Sequence, residues 1–360
     1  MRSPNIYFTA GPSALYFTVE EHLRSAFKLQ IPSISHRSKQ FSQLYEETEE
    51  FLRTLVGLPQ DYHLFFTASA TEVWERILQS CVQDYSLHLV NGAFSKRFYE
   101  IAQQLGLNPI SISAEPGSVV TPSHLEYAAE PELLAVTHNE TSTGTHQPLE
   151  HLTDVRNRFP DTLMAVDVVS SFPQVDLPFE TIDSAYFSVQ KCLGLPAGLG
   201  VWLLNKRCID KALSVRSTTH TAYHGITSLW EKYQKYQTPA TPNVLSIYLL
   251  NRVLHDMLLK GIDRIRMEGS YKAAVLYQML ENHQVIQPFV KVPEWRSQTV
   301  IVGQGGSYVT GLLEYLEHHG LILGKGYGDF KDQQLRIANF PTHSKEQVEL
   351  LVDKINAYKG

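Results

Sequence analysis

Leu163-Met164-Ala165-Val166-Asp167-Val168-Val169-Ser170-Ser171 and Tyr186-Phe187-Ser188-Val189-Gln190-Lys191 are the stretches on which the fold turns. Each opens as a short apolar strand. The first delivers an acid at its end and the second a lysine. Strands this apolar are buried on both faces, as in a mostly parallel sheet covered by helices. In such open sheets ligands bind beyond the carboxyl ends of the strands. One short crossover separates Asp167 from Lys191, so both can face one crevice.

Working outward, the same texture repeats. Leu64–Thr67, Leu87–Val90, Asn108–Ile112 and Leu133–Thr137 read as strands before the acid, and Gly200–Leu204 as one after the lysine. Helical stretches at Thr71–Cys81 and Phe94–Leu105 alternate with them. This alternation predicts an α/β unit with a mostly parallel sheet, here of seven strands. After Pro242 the texture changes to two long helices, Val244–Leu259 and Ile262–Glu281. Short strands at Thr299–Val302 and Leu335–Ala338 follow, with helices at Ser307–His319 and Lys345–Tyr358. We therefore expect a large unit over residues 16–260. A smaller α+β unit should span 261–360, with residues 1–15 packed on it. The glycine-rich pieces 303–306 and 324–328 read as loops.

Composition narrows the class. Of 360 residues, 43% are hydrophobic and 19% charged, which is globular rather than disordered. No apolar run is long enough for a membrane helix, and Met1–Thr9 lacks the apolar core of a secretory leader. The net charge of −6, with no basic stripe, argues against nucleic acid as a partner. Cys81, Cys192 and Cys208 form neither a CxxC pair nor an even framework. That usage fits a reducing cytoplasm. The 15 histidines show no metal-ligand spacing.

The acid and the lysine suit one cofactor, pyridoxal 5'-phosphate. A lysine amine condenses with its aldehyde, and an acid keeps its pyridine nitrogen protonated. Taken singly, the two residues have ordinary readings as a strand-end turn and a solvated amine. Together, with Gln190 before the lysine and Pro196-Ala197-Gly198-Leu199-Gly200 after it, they are far more specific. Thr67-Ala68-Ser69-Ala70-Thr71 adds a small-residue turn that opens a helix, where free N–H groups and the helix dipole attract a phosphate. The ordinary reading there is an N-cap.

Five segments carry a resemblance: Phe8-Thr9-Ala10-Gly11-Pro12, Ser35-His36-Arg37-Ser38, His138-Asn139-Glu140-Thr141-Ser142-Thr143-Gly144, Gln190-Lys191 and Leu335-Arg336-Ile337-Ala338. In order and spacing the chain resembles the class V aminotransferases of the fold-type I pyridoxal-phosphate enzymes, and among them the phosphoserine aminotransferases. The resemblance implies a homodimer with a shared active site. It assigns Lys191 to the cofactor aldehyde and Asp167 to the ring nitrogen. Thr141 would meet the ring hydroxyl and Phe94 would stack on the ring. Gln190, Ser69, Ala70 and Thr71 would reach the phosphate. Thr238, in Gln237-Thr238-Pro239, would reach the cofactor phosphate of the partner subunit. Arg336 would take the substrate carboxylate through paired charge-assisted bonds. His36 and Arg37 would meet the distal phosphate of phosphoserine or the distal carboxylate of glutamate. Their ordinary reading is a helix entry with Ser38 as N-cap.

One loop departs from the pattern. Where phosphoserine aminotransferases carry a His-Arg pair between glycines, this chain has Gly324-Lys325-Gly326-Tyr327-Gly328-Asp329-Phe330. Lys325 is the one cation left, and Asp329 opposes a phosphate. The resemblance still implies phosphoserine with 2-oxoglutarate as substrates, giving phosphohydroxypyruvate and glutamate. The alternative is a smaller pair of the alanine/serine–glyoxylate or pyruvate type. A cysteine desulfurase would need a reactive cysteine on a late mobile loop, and none is placed there.

Overall fold

The computed structural model describes residues 5–126, 128–215 and 223–359. In chain order its strands are β1 (Ile6–Phe8), β2 (Tyr62–Thr67), β3 (Tyr85–Val90), β4 (Asn108–Ser113), β5 (Leu133–Thr137), β6 (Asn139–Glu140), β7 (Thr145–His146), β8 (Leu163–Asp167), β9 (Ser184–Ser188), β10 (Gly200–Asn205), β11 (Gln287–Pro288), β12 (Val300–Gln304), β13 (Leu321–Lys325) and β14 (Gln334–Ala338). Seven of them form one sheet in the order β2-β10-β9-β8-β5-β3-β4. Pairing is parallel from β9 across to β4, and β10 alone runs against its neighbours β2 and β9. β5, β8 and β9 are buried along their whole length, in keeping with the apolar run through the middle of each.

Helices close both faces. On one side Leu64, Val136, Val166 and Phe187 pack with the helices Lys39–Val56 and Val244–Lys260. On the other, Phe65, Ala135, Ala165 and Trp202 pack with Ala70–Cys81 and Ala93–Gln104. These partners alternate along each strand, the period-two rule of a pleated sheet. Ser38 caps its helix as expected, accepting from the Phe41 N–H at 3.2 Å.

The second sheet has five strands in the order β1-β13-β14-β12-β11. It packs against the helices Ile262–Asn282, Tyr308–His318 and Lys345–Ala357 through Leu276, Ile301, Leu316, Ile337 and Leu351. β1 pairs in parallel with β13, so the N-terminal segment joins the C-terminal sheet. The expected loops at 303–306 and 324–328 need correction. Gly303 and Gln304 lie in β12, and Gly324 and Lys325 in β13. Gly303 has no room for a side chain, since a Cβ there would sit 2.8 Å from Ile286 Cγ2. Glycine here serves close packing rather than a turn.

The segment joining β9 to β10 is a tied loop. Val189 N donates to Leu199 O, Leu195 N to Val189 O and Gly194 N to Lys191 O.

Candidate active site

Beyond the carboxyl ends of β2, β3, β5, β8 and β9 lies a cavity of about 280 Å³. Ser69, Ala70, Thr71, Phe94, Thr141, Asp167, Gln190, Lys191 and Arg336 all border it. Nine residues expected at the site thus converge from six separate stretches of chain.

Lys191 is 7% exposed. Its Nζ donates to Thr141 Oγ1 at 3.0 Å and stands 5.3 Å from the centre of the Phe94 ring. The Thr141 hydroxyl donates in turn to Ser170 Oγ at 2.9 Å. Ser170 also accepts from Asn139 Nδ2 at 2.7 Å and spends its own proton on Asn139 O at 3.0 Å. A hydroxyl has one proton, so this chain of bonds has one direction and Thr141 is left as acceptor toward the lysine. Burial lowers the Lys191 amine to about 8 against the nearby Asp167, which pulls it upward.

Asp167 Oδ1 accepts from Val169 N at 2.9 Å. Burial raises its carboxyl to about 7, opposed by the Val169 N–H and by Lys191. A carboxyl so placed will favour any cation brought beside it.

Glu140 has a structural task the sequence left open. Its buried carboxylate accepts from the N–H groups of Phe94 (3.2 Å), Ser95 (3.0 Å) and Ser142 (3.1 Å), and from the hydroxyls of Ser95 and Ser142. It thereby caps the helix Ala93–Gln104 and ties Phe94 to the β6–β7 hairpin that carries Thr141.

The phosphate-type turn is partly spent on itself. Ser69 accepts from Glu72 N at 3.3 Å, and Ala70 N donates to Ser188 Oγ at 2.9 Å. The hydroxyl protons of Ser69, Thr71 and Ser188 have no acceptor among the described residues. Two buried polar atoms of cavity residues, Trp74 Nε1 and Gln190 Oε1, also lack a partner. Unpaired donors at the turn, an acid, an amine and an aromatic ring around one cavity fit a phosphorylated heterocycle carrying an aldehyde.

Arg336 is gripped by backbone. Its Nε donates to Lys325 O at 2.8 Å and its Nη1 to Thr141 O at 3.2 Å. Lys325 itself is exposed and does not border the cavity. His36, Arg37 and Thr238 are not brought to Lys191 within one chain. Arg37 instead bonds Gln237 Oε1 at 3.0 Å and Pro239 O at 3.3 Å. Thr238 donates to Ala240 O at 2.7 Å beside a separate cavity of about 380 Å³. Sequence reasoning passed over Trp74, Ser188 and Tyr327. Ser188 alone had a signal, lying at the end of the strand that leads to Lys191.

Comparison with known proteins agrees with this geometry. The family model described as Aminotransferase class-V matches residues 8–327. A crystal structure of a phosphoserine aminotransferase from Cytophaga hutchinsonii is 44% identical, covers 99% of both chains and superposes with a TM-score of 0.96. A phosphoserine aminotransferase from Rhodococcus opacus is 26% identical over 97% of this chain and 94% of its own. An alanine–glyoxylate aminotransferase from a Nostoc species shares the fold at 23% identity and a TM-score of 0.86, over 99% and 95% of the two chains. With an acid, a lysine and a phosphate-type turn meeting at one crevice, and a family match over most of its length, the chain belongs to the class V aminotransferases, enzymes that work with pyridoxal phosphate.

Proposed function

We propose that this aminotransferase moves an amino group between O-phosphoserine and 2-oxoglutarate, a step of serine biosynthesis. The observation that carries the reading is the 44% identity, over 99% of both chains, with a protein named phosphoserine aminotransferase. Lys191 and Asp167 would hold the aldehyde and ring-nitrogen ends of pyridoxal phosphate. Thr141, Phe94 and Gln190 would line its ring, and Ser69, Ala70, Thr71 and Ser188 would meet its phosphate. When bound, that group carries the amino nitrogen and draws off the charge left on the substrate carbon.

The chain's own residues supply the rest. Lys191, lowered to about 8, sheds its proton far more readily than an exposed lysine, and its neutral form can take a proton at Nζ. Thr141 orients that nitrogen by accepting from it. Asp167 holds a positive charge in its buried corner. Arg336 offers a fixed guanidinium to a carboxylate.

Among the described residues, Arg336 and Lys191 are the only cations bordering the cavity, and neither is free for the distal anion of phosphoserine if they take the carboxylate and the aldehyde. We propose that a symmetric dimer supplies a cation for it, with His36, Arg37 and Thr238 of each chain completing the other's site. Arg37 and the 237–239 segment already touch, so they would arrive as one unit. Within each chain we take residues 16–260 as the cofactor-binding unit, and 261–360 with 1–15 as the smaller one. The reaction chemistry and the reducing cysteine usage fit a cytoplasmic enzyme.

A second reading, a smaller substrate pair such as alanine with glyoxylate or pyruvate, is favoured by the 324–330 loop. That loop gives the cavity Tyr327 and leaves Lys325 exposed. Titrating the cofactor-loaded protein with O-phosphoserine and with alanine, while following the visible cofactor band, separates the two. The band should fall at low O-phosphoserine concentration. A band that responds only to alanine would move the substrate to the smaller pair.

A further inference from the structure

Tyr327 reaches the cavity from the 324–330 loop. It sits between two glycines that the backbone requires. Gly326 donates its N–H to Gln334 O at 2.7 Å and packs so closely on Phe330 O that a side chain there would collide. Gly328 has φ +55°, and Phe330 N closes the turn on Tyr327 O at 3.1 Å. The loop is thus built to hold one aromatic ring in one place. That ring has two neighbours. The Phe94 ring lies 5.6 Å away, tilted by 47°, and Arg336 Cζ lies 5.5 Å from the Tyr327 centre.

Arg336 is therefore held on three counts. Nε and Nη1 are bound by the carbonyls of Lys325 and Thr141, and a face of the guanidinium is covered by an aromatic ring. Among the described residues Nη2 alone makes no hydrogen bond. We propose that Tyr327 is a positioning residue for substrate. Its ring covers one face of the Arg336 guanidinium and fixes it, so that the free edge is presented in one orientation to the α-carboxylate common to every amino and keto acid this enzyme takes. The warrant is that a ring face attracts a cation held over it, and that a preset guanidinium loses less freedom on binding. The proposal rests on the transaminase reading but not on which amino acid is used, because the α-carboxylate is shared.

The test compares Tyr327→Ala and Tyr327→Phe in the cofactor-loaded enzyme, with O-phosphoserine and alanine as alternative donors. Tyr327→Ala should raise KM roughly tenfold for whichever donor is used and for 2-oxoglutarate alike. kcat should stay within about threefold and the cofactor band should not change. Tyr327→Phe should restore most of the lost affinity, since it keeps the ring. In parallel, phenylglyoxal labelling of Arg336, read by mass spectrometry on the cofactor-free chains, should be several times faster in Tyr327→Ala than in the parent. Unchanged KM and labelling in Tyr327→Ala would overturn the proposal. So would a Tyr327→Phe variant as weak as Tyr327→Ala, which would put the role in the hydroxyl. Failure of both donors in the parent enzyme would count against the substrate reading, whereas the labelling arm would still judge Tyr327.

Discussion

At the scale of single residues, the site is governed by burial acting on opposite charges. Asp167 and Lys191 are each moved toward neutrality, the acid up to about 7 and the amine down to about 8. For the cofactor-free chain the linkage has a definite sign. Between about pH 4 and pH 7 the folded state holds a proton on Asp167 that the unfolded state has lost, so stability falls as pH rises. Asp167→Asn should flatten that fall, measured by urea midpoints of cofactor-free protein across this range. An equal slope in the variant would show that Asp167 is not its source. Lys191 acts in a separate window, since the unfolded state binds the extra proton between about pH 8 and 10.5. Stability there rises with pH.

Lys191, Asp167 and Thr141 were legible because each ends an apolar run or sits in a distinctive loop just past one. Trp74, Tyr327 and the role of Glu140 were not, because their significance comes from what tertiary packing leaves unpaired or brings alongside. Glu140 looks like any acid in a polar stretch until its carboxylate is seen under a helix end.

At the scale of elements, the alternation of apolar strands and helices was readable because strands buried on both faces carry little else. β1 and β13 escaped. β1 is only three residues long, and Gly324 gave β13 the look of a turn. The β6–β7 hairpin escaped because two-residue strands have no periodicity. That hairpin is held to its helix by Glu140, and the dependence is measurable. Glu140→Ala strands the N–H groups of Phe94, Ser95 and Ser142, and burying unpaired donors costs roughly 1–3 kcal/mol apiece, partly relieved by water. A loss of about 3 kcal/mol is expected in urea unfolding. Cofactor retention should weaken with it, because Phe94 and Thr141 lose their common anchor. A change below about 0.5 kcal/mol would show the helix end satisfied by other means.

At the scale of the molecule, the residues expected for the site, Lys325 aside, divide into two groups. One converges on Lys191. The other, His36, Arg37 and Thr238, gathers elsewhere on the same chain. Sequence order could not show this division, since it records neighbours along the chain and not across an interface. If each group serves a different chain's site, inactive variants will complement one another. Lys191→Ala should lose at least about a thousandfold in turnover, and Arg37→Ala most of its activity on O-phosphoserine. Unfolded together and refolded as an equal mixture, they should recover about a quarter of parental activity. Half the dimers are then mixed, and each mixed dimer has one complete site. Recovery no greater than the sum of the two parents would place Arg37 in its own chain's site or outside catalysis.

The reversed direction of β10 has a consequence for timing. Because β10 turns back beside β9, Lys191 rides on a short bracket tied at both feet rather than at the lip of a long crossover. The bracket is braced internally by the bonds of Val189, Gly194 and Leu195. Like a jib on a fixed mast, the amine travels only by turning its own four carbons. Its strokes therefore run on the picosecond-to-nanosecond clock of side-chain rotation, well ahead of the clock on which loops open.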